Sequence, residues 1–430
     1  MKIAKKLSLI LLAVLMLVIT ACGTKGNGTT PSGTSTAPAD GTTKEKVEIS
    51  FSLWADKDFW QVQLDKFEEL HPNIKVNFQF IPDAYEDKLF TLIAGGNPPD
   101  VMSQYETTTP DVAKKGIVED LTPYIEKDKS FDLTDFYDVA LSLSKVNGKL
   151  YGLSNTLAPQ FMFYNKTAFD KAKVAYPTAD WTWNNYLEAA KKLTIKDGDK
   201  ITQYGSDANS SWWIPTELQI RQNGGDIFKD GNANFNSPEV IESIQFWADM
   251  NLKHHVAPSL AESSGQGDLF PSGKVAMTRN GIWMKDVYKD IKGFEWDIAP
   301  LPKNKNAGTV LHTNYLTLST KSKHKEESWE LIKWLSGPEV QEALSKKQGF
   351  LPTRKSVVAN KAYDTKMPAS TAIIGDAIHY GQLLPYAPGV KLVTDEWTKV
   401  LEQIYWGKIT AEAGMKDFQP KAQAIIDKNK

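Results

Sequence analysis

The stretch VEISFSLWADKDFWQVQLDKFEELHPNIKVNFQF, residues 47–80, sets the architecture. Val47, Ile49, Phe51 and Leu53 alternate with small or polar residues, the period of a strand with one face buried. From Asp56 to Leu70 the period lengthens: Phe59, Trp60, Leu64 and Phe67 share a helical face, and His71-Pro72 ends the run. Ile74, Val76, Phe78 and Phe80 then alternate again. Two strands separated by a helix of this length pair in parallel, with the helix packed on one face.

The same grammar continues downstream. Ala84 to Ala94 puts Tyr85, Leu89 and Leu92 on one face and closes at Gly95-Gly96, and Pro99-Asp100-Val101-Met102 reads as a short third strand. Repetition of this kind predicts a mostly parallel sheet covered on both sides. Residues 148–153 read as a hairpin arm and Phe161 to Tyr164 as an apolar strand. Helices are expected from Trp183 to Leu193, behind a Thr182 cap, from Pro238 to Met250, and from Glu326 to Leu335. A turn at 271–274 should lead into a strand at 275–277, Tyr315 to Leu318 reads as another strand, and Asp395 to Lys428 alternates helix and turn. The span 47–430 is longer than one core usually supports, so two lobes are expected.

Upstream, Lys2, Lys5 and Lys6 precede the apolar run Leu7 to Thr20, which is followed by Ala21 and Cys22. Charged, then hydrophobic, then small is the order of a secretory signal, and the run is short of the roughly 20 residues that span a bilayer. Residues 1–21 are therefore set apart as a signal peptide. Ile19-Thr20-Ala21-Cys22 resembles a bacterial lipobox, with Ile where Leu is usual, which implies that Cys22 is lipidated and anchors the chain to membrane lipid. From there to residue 46, Gly, Thr, Ser and Pro dominate with no bulky apolar side chain, so 22–46 is expected to be a lipidated Cys on a disordered tether.

Of 430 residues, 41% are hydrophobic and 24% charged, with 50 Lys and Arg against 52 Asp and Glu, a net charge of -2. That balance argues against nucleic acid as a partner. Three of those lysines precede Cys22 and no acid does, leaving 47 basic against 52 acidic residues beyond it, net -5. A single cysteine permits no internal disulfide and no cysteine-based metal site.

Motifs of catalysis are missing. Ser272-Gly273-Lys274-Val275 has the Gly-Lys step of a phosphate loop but neither the upstream glycine nor the hydroxyl residue that would hold Mg²⁺. No G-x-G-x-x-G follows the first strand, and neither G-x-S-x-G nor H-E-x-x-H occurs. His254 and His255 are adjacent, a spacing that does not set two ligands on one helix face, so no metal or cofactor is expected. A glycosidase needs two carboxylates facing across a cleft. Asp56, Asp58, Glu106, Asp268 and Asp297 are candidates, but spacing along the chain does not pair them.

The tryptophans carry more information. Trp54 directly follows the first strand, where open α/β sheets bind ligands. Trp212-Trp213 lie in the polar stretch A-N-S-S-W-W-I-P, and Trp283 follows Arg279-Asn280-Gly281 after a strand. An exposed indole suits the C–H face of a pyranose, and neighbouring Asn, Asp, Gln and Arg suit its hydroxyls. Trp247, Trp329 and Trp334 sit on regular helical faces and read as core.

Taken in order, the chain resembles the extracellular solute-binding proteins of bacterial ABC importers, in the carbohydrate-binding family that includes maltose-binding protein. The resemblance rests on F-x-x-L-H-P-N-I-K-V (67–76), L-I-A-G-G-N-P-P-D-V (92–101), G-I-V-E-D-L-T-P-Y-I (116–125), G-K-L-Y-G-L (148–153) and F-Y-N-K-T-A-F (163–169). It continues through W-T-W-N-N-Y-L-E-A-A-K-K-L-T (181–194), N-G-G-D-I-F (223–228), F-P-S-G-K-V-A-M (270–277) with N-G-I-W (280–283), and W-E-L-I-K-W-L (329–335) with G-F-L-P-T-R (349–354).

The resemblance implies an α/β fold of the type II periplasmic-binding-protein kind. Its two lobes are joined by crossing hinge strands near 153–157 and 310–314, with the ligand cleft between them. On that pattern lobe 1 is 47–155 plus 317–370 and lobe 2 is 156–316 plus 371–430. The implied carbohydrate contacts are Trp54, Asp56, Lys57, Gln104, Tyr105 and Glu106 in lobe 1. In and around lobe 2 they are Tyr164, Trp212, Trp213, Gly281, Trp283, His312 and Tyr386. The implied function is capture of an extracellular carbohydrate, with several loop aromatics favouring an oligosaccharide, and delivery to the transmembrane subunits of an ABC permease by lobe closure. The protein would act as a non-enzymatic monomer, lipid-anchored on the outer face of the cell membrane. The alternatives are a surface carbohydrate-active enzyme and a non-transport glycan-binding adhesin. Ser154-Asn155 replaces the Pro often found after the Tyr-Gly pair, and such departures leave the identity of the sugar open.

Overall fold

The computed structural model describes residues 46–207 and 212–430. The expected signal peptide, Cys22 and the tether up to residue 45 lie outside the described residues. Among the described residues no helix is long and apolar enough to cross a membrane.

The opening strand is Val47–Leu53, followed by helix Lys57–Leu70, strand Ile74–Phe80 and helix Tyr85–Ala94. Phe59, Trp60, Leu64 and Phe67 bury one face of the first helix against the sheet, at the spacing read in the sequence. The third strand, Val101–Tyr105, begins later than expected. Asp100 precedes it and accepts hydrogen bonds from the Ser50 amide (2.8 Å), the Ser50 hydroxyl (2.7 Å) and the Ser322 hydroxyl (2.6 Å), so it ties segments together.

The first sheet has the order Ile74–Phe80, Val47–Leu53, Val101–Tyr105, Asn314–Leu318, Leu153–Ser154. Its first three strands are parallel, and the last two pair antiparallel. The expected mostly parallel sheet therefore holds for one half only. The other half is made by strands on their way to or from a second sheet, and these run against their neighbours.

That second sheet is built on Ala158–Asn165, whose eight residues are all buried. Met277–Gly281 pairs with one edge, and Trp296–Ala299 and Thr309–His312 share the other, all antiparallel. Gly381–Gln382 adds a parallel pair at the end. The strand expected at 275–277 is displaced to 277–281, because Val275 bridges Tyr204 instead. The fold is thus mixed α/β in two lobes. Trp247, Trp397 and Tyr186 are among the largest fully buried side chains of the second. Trp329 is buried in the first, and half-buried Trp334 donates its indole N–H to the Gln63 carbonyl (2.9 Å).

Local rules account for most element ends. Thr182 and Asn185 form a capping box at helix Trp183–Leu193. Asn147 and Gly148, with φ of 52° and 78°, turn the hairpin Lys145–Val146 to Lys149–Leu150, a two-residue turn that needs positive φ at both positions. The tail, expected to alternate helix and turn, holds two long helices, Val390–Tyr405 and Ala411–Asn429, with a turn between them.

The chain crosses between sheets where Ser154 leads to Ala158 and where His312 leads to Asn314. The crossings are bonded to each other. The Thr313 hydroxyl donates to the Thr156 carbonyl (2.8 Å) and meets the Ser154 hydroxyl, and Thr353 donates to the Ser154 carbonyl (2.8 Å). After helix Pro338–Gln348 the chain turns at Gly349, and Leu351 exchanges two backbone hydrogen bonds with Leu157 (2.7 and 2.8 Å). These bonds satisfy buried polar groups at the place where neither sheet can do so.

Candidate functional site

The first wall forms where parallel strands end. After Leu53 the chain passes through Trp54 and Ala55 to Asp56, which stands at φ 50°, ψ 56° ahead of a helix. Ala84, at φ 48°, ψ 44°, does the same after the second strand. Left-handed backbone at a residue other than glycine costs about 1–3 kcal/mol and persists only where the surroundings impose it. At Asp56 they do: Lys347 Nζ (2.9 Å) and Gln348 Nε2 (2.7 Å) both donate to its carboxylate. Trp54 is propped by Tyr85 and Tyr105, with ring centroids 5.0 and 4.5 Å away.

Facing this wall across a cleft of ≈ 740 Å³ are Trp212, Trp213 and Trp283 of the second lobe, with Asn155, Thr156, Thr313 and Asn314 of the crossings also lining it. Trp212 is 38% exposed, high for an indole, and lies nearly parallel to the His312 ring at 6.0 Å. Trp283 meets His312 edge-on at 5.3 Å. Its indole lies across Gly281, where a Cβ would fall 2.0 Å from the ring. A glycine is needed there for Trp283 to hold this position. Trp213 turns its other side toward buried Trp397.

Behind the aromatics lies a polar relay. Gln160 Nε2 lies 2.8 Å from His312 Nε2, and as the amide is oriented it donates, which leaves the ring proton on Nδ1. Nδ1 is 3.6 Å from Glu106 Oε1. Glu106 is 3% exposed, and this oxygen has no hydrogen-bond donor among the described residues. A buried carboxylate oxygen left without a donor at a cleft wall is suited to accept one from a bound hydroxyl. Glu86 also lines the cleft, and its Oε1 has no hydrogen-bond partner among the described residues. Burial pushes its carboxyl up to about 7, opposed by the Lys391 ammonium and a hydrogen bond from Thr108. Burial, with the Glu86 and Glu106 carboxylates, raises the Tyr105 phenol, which stays neutral.

Of the residues singled out from sequence, Trp54, Asp56, Tyr105, Glu106, Trp212, Trp213, Trp283 and His312 line this one cleft. Five lie elsewhere. Lys57 is exposed at the start of its helix. Gln104, 1% exposed, alternates with Tyr105 and faces away from it. Tyr164 packs in the core on Phe169 and Tyr176, with centroids 5.3 and 5.5 Å away. Gly281 lies under Trp283. Tyr386 donates to Asp111 Oδ1 (2.6 Å) and accepts from Lys114 Nζ (3.2 Å), so its hydroxyl is taken up by first-lobe side chains.

The reading also missed Trp60, Glu86, Asp286, Gln348 and Phe350, which line the cleft. Glu86 lies in the first turn of the helix after the second strand, not directly at the strand's end as Trp54 does, so the rule that picked out Trp54 did not reach it. Of the acids considered as catalytic pairs, only Asp56 and Glu106 reach the cleft. Asp297 is bound by the Ser370 amide (3.0 Å) and hydroxyl (2.8 Å), and Asp268 by the Tyr288 hydroxyl.

Comparison with known proteins agrees with the two-lobe α/β fold. The family described as bacterial extracellular solute-binding protein matches residues 54–342. An ABC substrate-binding protein of Listeria monocytogenes, solved in complex with cycloalternan, superposes with a TM-score of 0.84 at 31% identity, covering 89% of this chain and 100% of that one. The arabinooligosaccharide-binding protein of Bacillus subtilis is 25% identical over 83% of this chain and 82% of its own length. A maltose-bound T. maritima protein shares the fold at 22% identity, with a TM-score of 0.77 over 88% of this chain and 100% of that one.

Proposed function

This chain belongs to the bacterial extracellular solute-binding proteins, and on that premise we propose that it is the substrate-binding lipoprotein of an ABC importer for an oligosaccharide. One observation carries the reading: indole faces of both lobes and the Tyr105 ring line a single cleft together with buried carboxylate oxygens that have no donor among the described residues. Sugar rings offer apolar faces to the first and hydroxyls to the second. The relatives named for arabinooligosaccharide and cycloalternan support the ligand class.

The mechanism is capture followed by closure. Trp54, Asp56, Tyr105 and Glu106 act from one side and Trp212, Trp213, Trp283 and His312 from the other, so only a bridging ligand gains from both. Such a ligand shifts the population toward the closed form by its differential affinity for it. Lobe 1 is taken as 47–155 with 317–370 and lobe 2 as 156–316 with 371–430, turning about the bonded crossings. The closed surface is what the permease would recognise. A lipid on Cys22 and the 22–46 tether would hold the monomer on the outer face of the membrane, raising its effective concentration at the transporter. No chemical step is assigned to the cleft.

A thermal-shift screen of neutral oligosaccharides on the full chain, followed by calorimetry, tests this. Stabilisation by at least one saccharide, with compaction in small-angle scattering, is expected; no binding by any would reject it. Cys22→Ala should move the protein from the membrane fraction to the medium.

A further inference from the structure

The second lobe contains another cavity, of ≈ 320 Å³, that the cleft does not account for. It lies among helix Trp213–Gln222, strand Met277–Gly281, the 263–269 loop and the end of helix Val390–Tyr405. Trp212 lines both spaces, so the indole that faces the cleft is also a wall of this chamber. Its volume is at the lower end of the about 300–1,000 Å³ typical of small-ligand pockets, suited to one ring rather than a chain.

The chamber's chemistry is centred on Arg279. Its side chain is only 7% exposed, and the guanidinium lies 3.8 Å over the Trp247 ring. Its Nε (3.1 Å) and Nη2 (3.0 Å) meet Asp207 Oδ1. Its Nη1 has no acceptor among the described residues. A buried charged donor without an acceptor is expensive to leave so. Asp207 already balances the charge of Arg279, and Asp268 on the same wall adds a negative one. The group that satisfies Nη1 is therefore a neutral oxygen rather than an anion. Thr216, Gln219 and Thr278 supply further polar contacts beside the indole. An apolar plate and a ring of mixed donors and acceptors are what a neutral pyranose needs.

We infer that this chamber is an extension subsite, in which one neutral sugar unit of the ligand passes around Trp212 and places a hydroxyl or ring oxygen on Arg279 Nη1. The inference rests on the carbohydrate reading of the main cleft. It adds that recognition extends into one lobe alone and that the ligand is bent or branched at Trp212.

The test is calorimetry on the full chain with ladders of neutral gluco-, manno- and arabino-oligosaccharides from two to six units. Arg279 itself is a poor target, since its loss strands buried Asp207. Ser263→Trp fills the chamber from a wall residue whose hydroxyl bonds only to Ser259 and Leu260 carbonyls. Gln219→Leu removes a polar contact at nearly constant volume and serves if the first variant does not fold.

In the natural chain, affinity should rise about tenfold at the length that first enters the chamber. In either variant that step should vanish while shorter saccharides bind as before. An unchanged step in a folded variant overturns the inference and leaves the function standing. Tighter binding of a uronic-acid-terminated saccharide than of its neutral counterpart, lost in the variants, also overturns it. If no saccharide binds the natural chain, the function fails, and the inference with it.

Discussion

Tyr386→Phe isolates one bond that, on the proposed closure mechanism, would form only while the lobes are together. The phenol donates to Asp111 Oδ1 across 2.6 Å and accepts from Lys114 Nζ at 3.2 Å, joining a loop of the second lobe to helix Thr109–Lys114 of the first. The Gly389 amide reaches Asp111 Oδ2 (3.1 Å), and Lys391 lies 3.7 Å from Asp87 on the same side. A hydrogen bond to a charged partner contributes about 1.5–3 kcal/mol when buried. Both residues here are half-buried and Lys114 is exposed, so about 1–1.5 kcal/mol is the reasonable share for the closed form. The ring stays packed, and on the capture-and-closure reading an open form would lack the bond.

The expected result is a roughly five- to tenfold weaker Kd for whichever saccharide binds the natural chain, seen as faster dissociation. The melting temperature of the unliganded protein should not change. Calorimetry, stopped-flow release and a thermal melt without ligand measure the three quantities. An unchanged Kd would show that the contact does not belong to the ligand-stabilised state. A loss of unliganded stability equal to the loss of affinity would show that the lobes are joined before ligand arrives. Either result refutes the reasoning.

Other substitutions probe the walls. Trp283→Ala should weaken saccharide binding by about 1–3 kcal/mol if the indole stacks on a ring; an unchanged Kd with a lowered melting temperature would assign it to packing. Gly281→Ala should have a similar effect without removing any contact, since the new methyl would fall 2.0 Å from the Trp283 ring and displace it; normal affinity would contradict the placement. Glu86 titrates near 7 in the fold because burial disfavours its charge, against 4.5 for the free carboxyl, so the stability it contributes is full below that lower value and is lost as pH climbs through 7. Glu86→Gln should therefore stabilise the protein by on the order of 2 kcal/mol at pH 8 and hardly at all at pH 4; equal gains at both would exclude this origin.

How far the sequence could be read depended on whether an element's two faces differ. Val47–Leu53 and Lys57–Leu70 each have a buried and a less buried side, and their periods located them closely. Trp54 was legible because it stands just past such a strand. Ala158–Asn165 is buried on both faces, so nothing in its pattern separates Tyr164, which packs in the core, from a residue at a cleft. Gln104 and Tyr105 show the opposite limit. Neighbours on a strand point to opposite sides, and a one-residue uncertainty in register exchanges the wall for the core.

The remaining cleft residues were hidden for a different reason. Gln348 and Phe350 reach the site only because the chain returns to the crossings after helix Pro338–Gln348 and pairs Leu351 with Leu157, a contact between positions almost two hundred residues apart. Tyr386 stands in the loop around Pro385 and Pro388, and that local sequence does not separate a sugar platform from a rim contact. Its role depends on Asp111, which lies in a distant helix of the other lobe. Arg279 is the strongest case. In the sequence it only precedes N-G-I-W. Its unmatched Nη1 becomes visible once Asp207 has claimed two of its nitrogens and Trp247 has covered its face. Local pattern therefore positions the elements, and long-range pairing decides which polar atoms remain for a ligand.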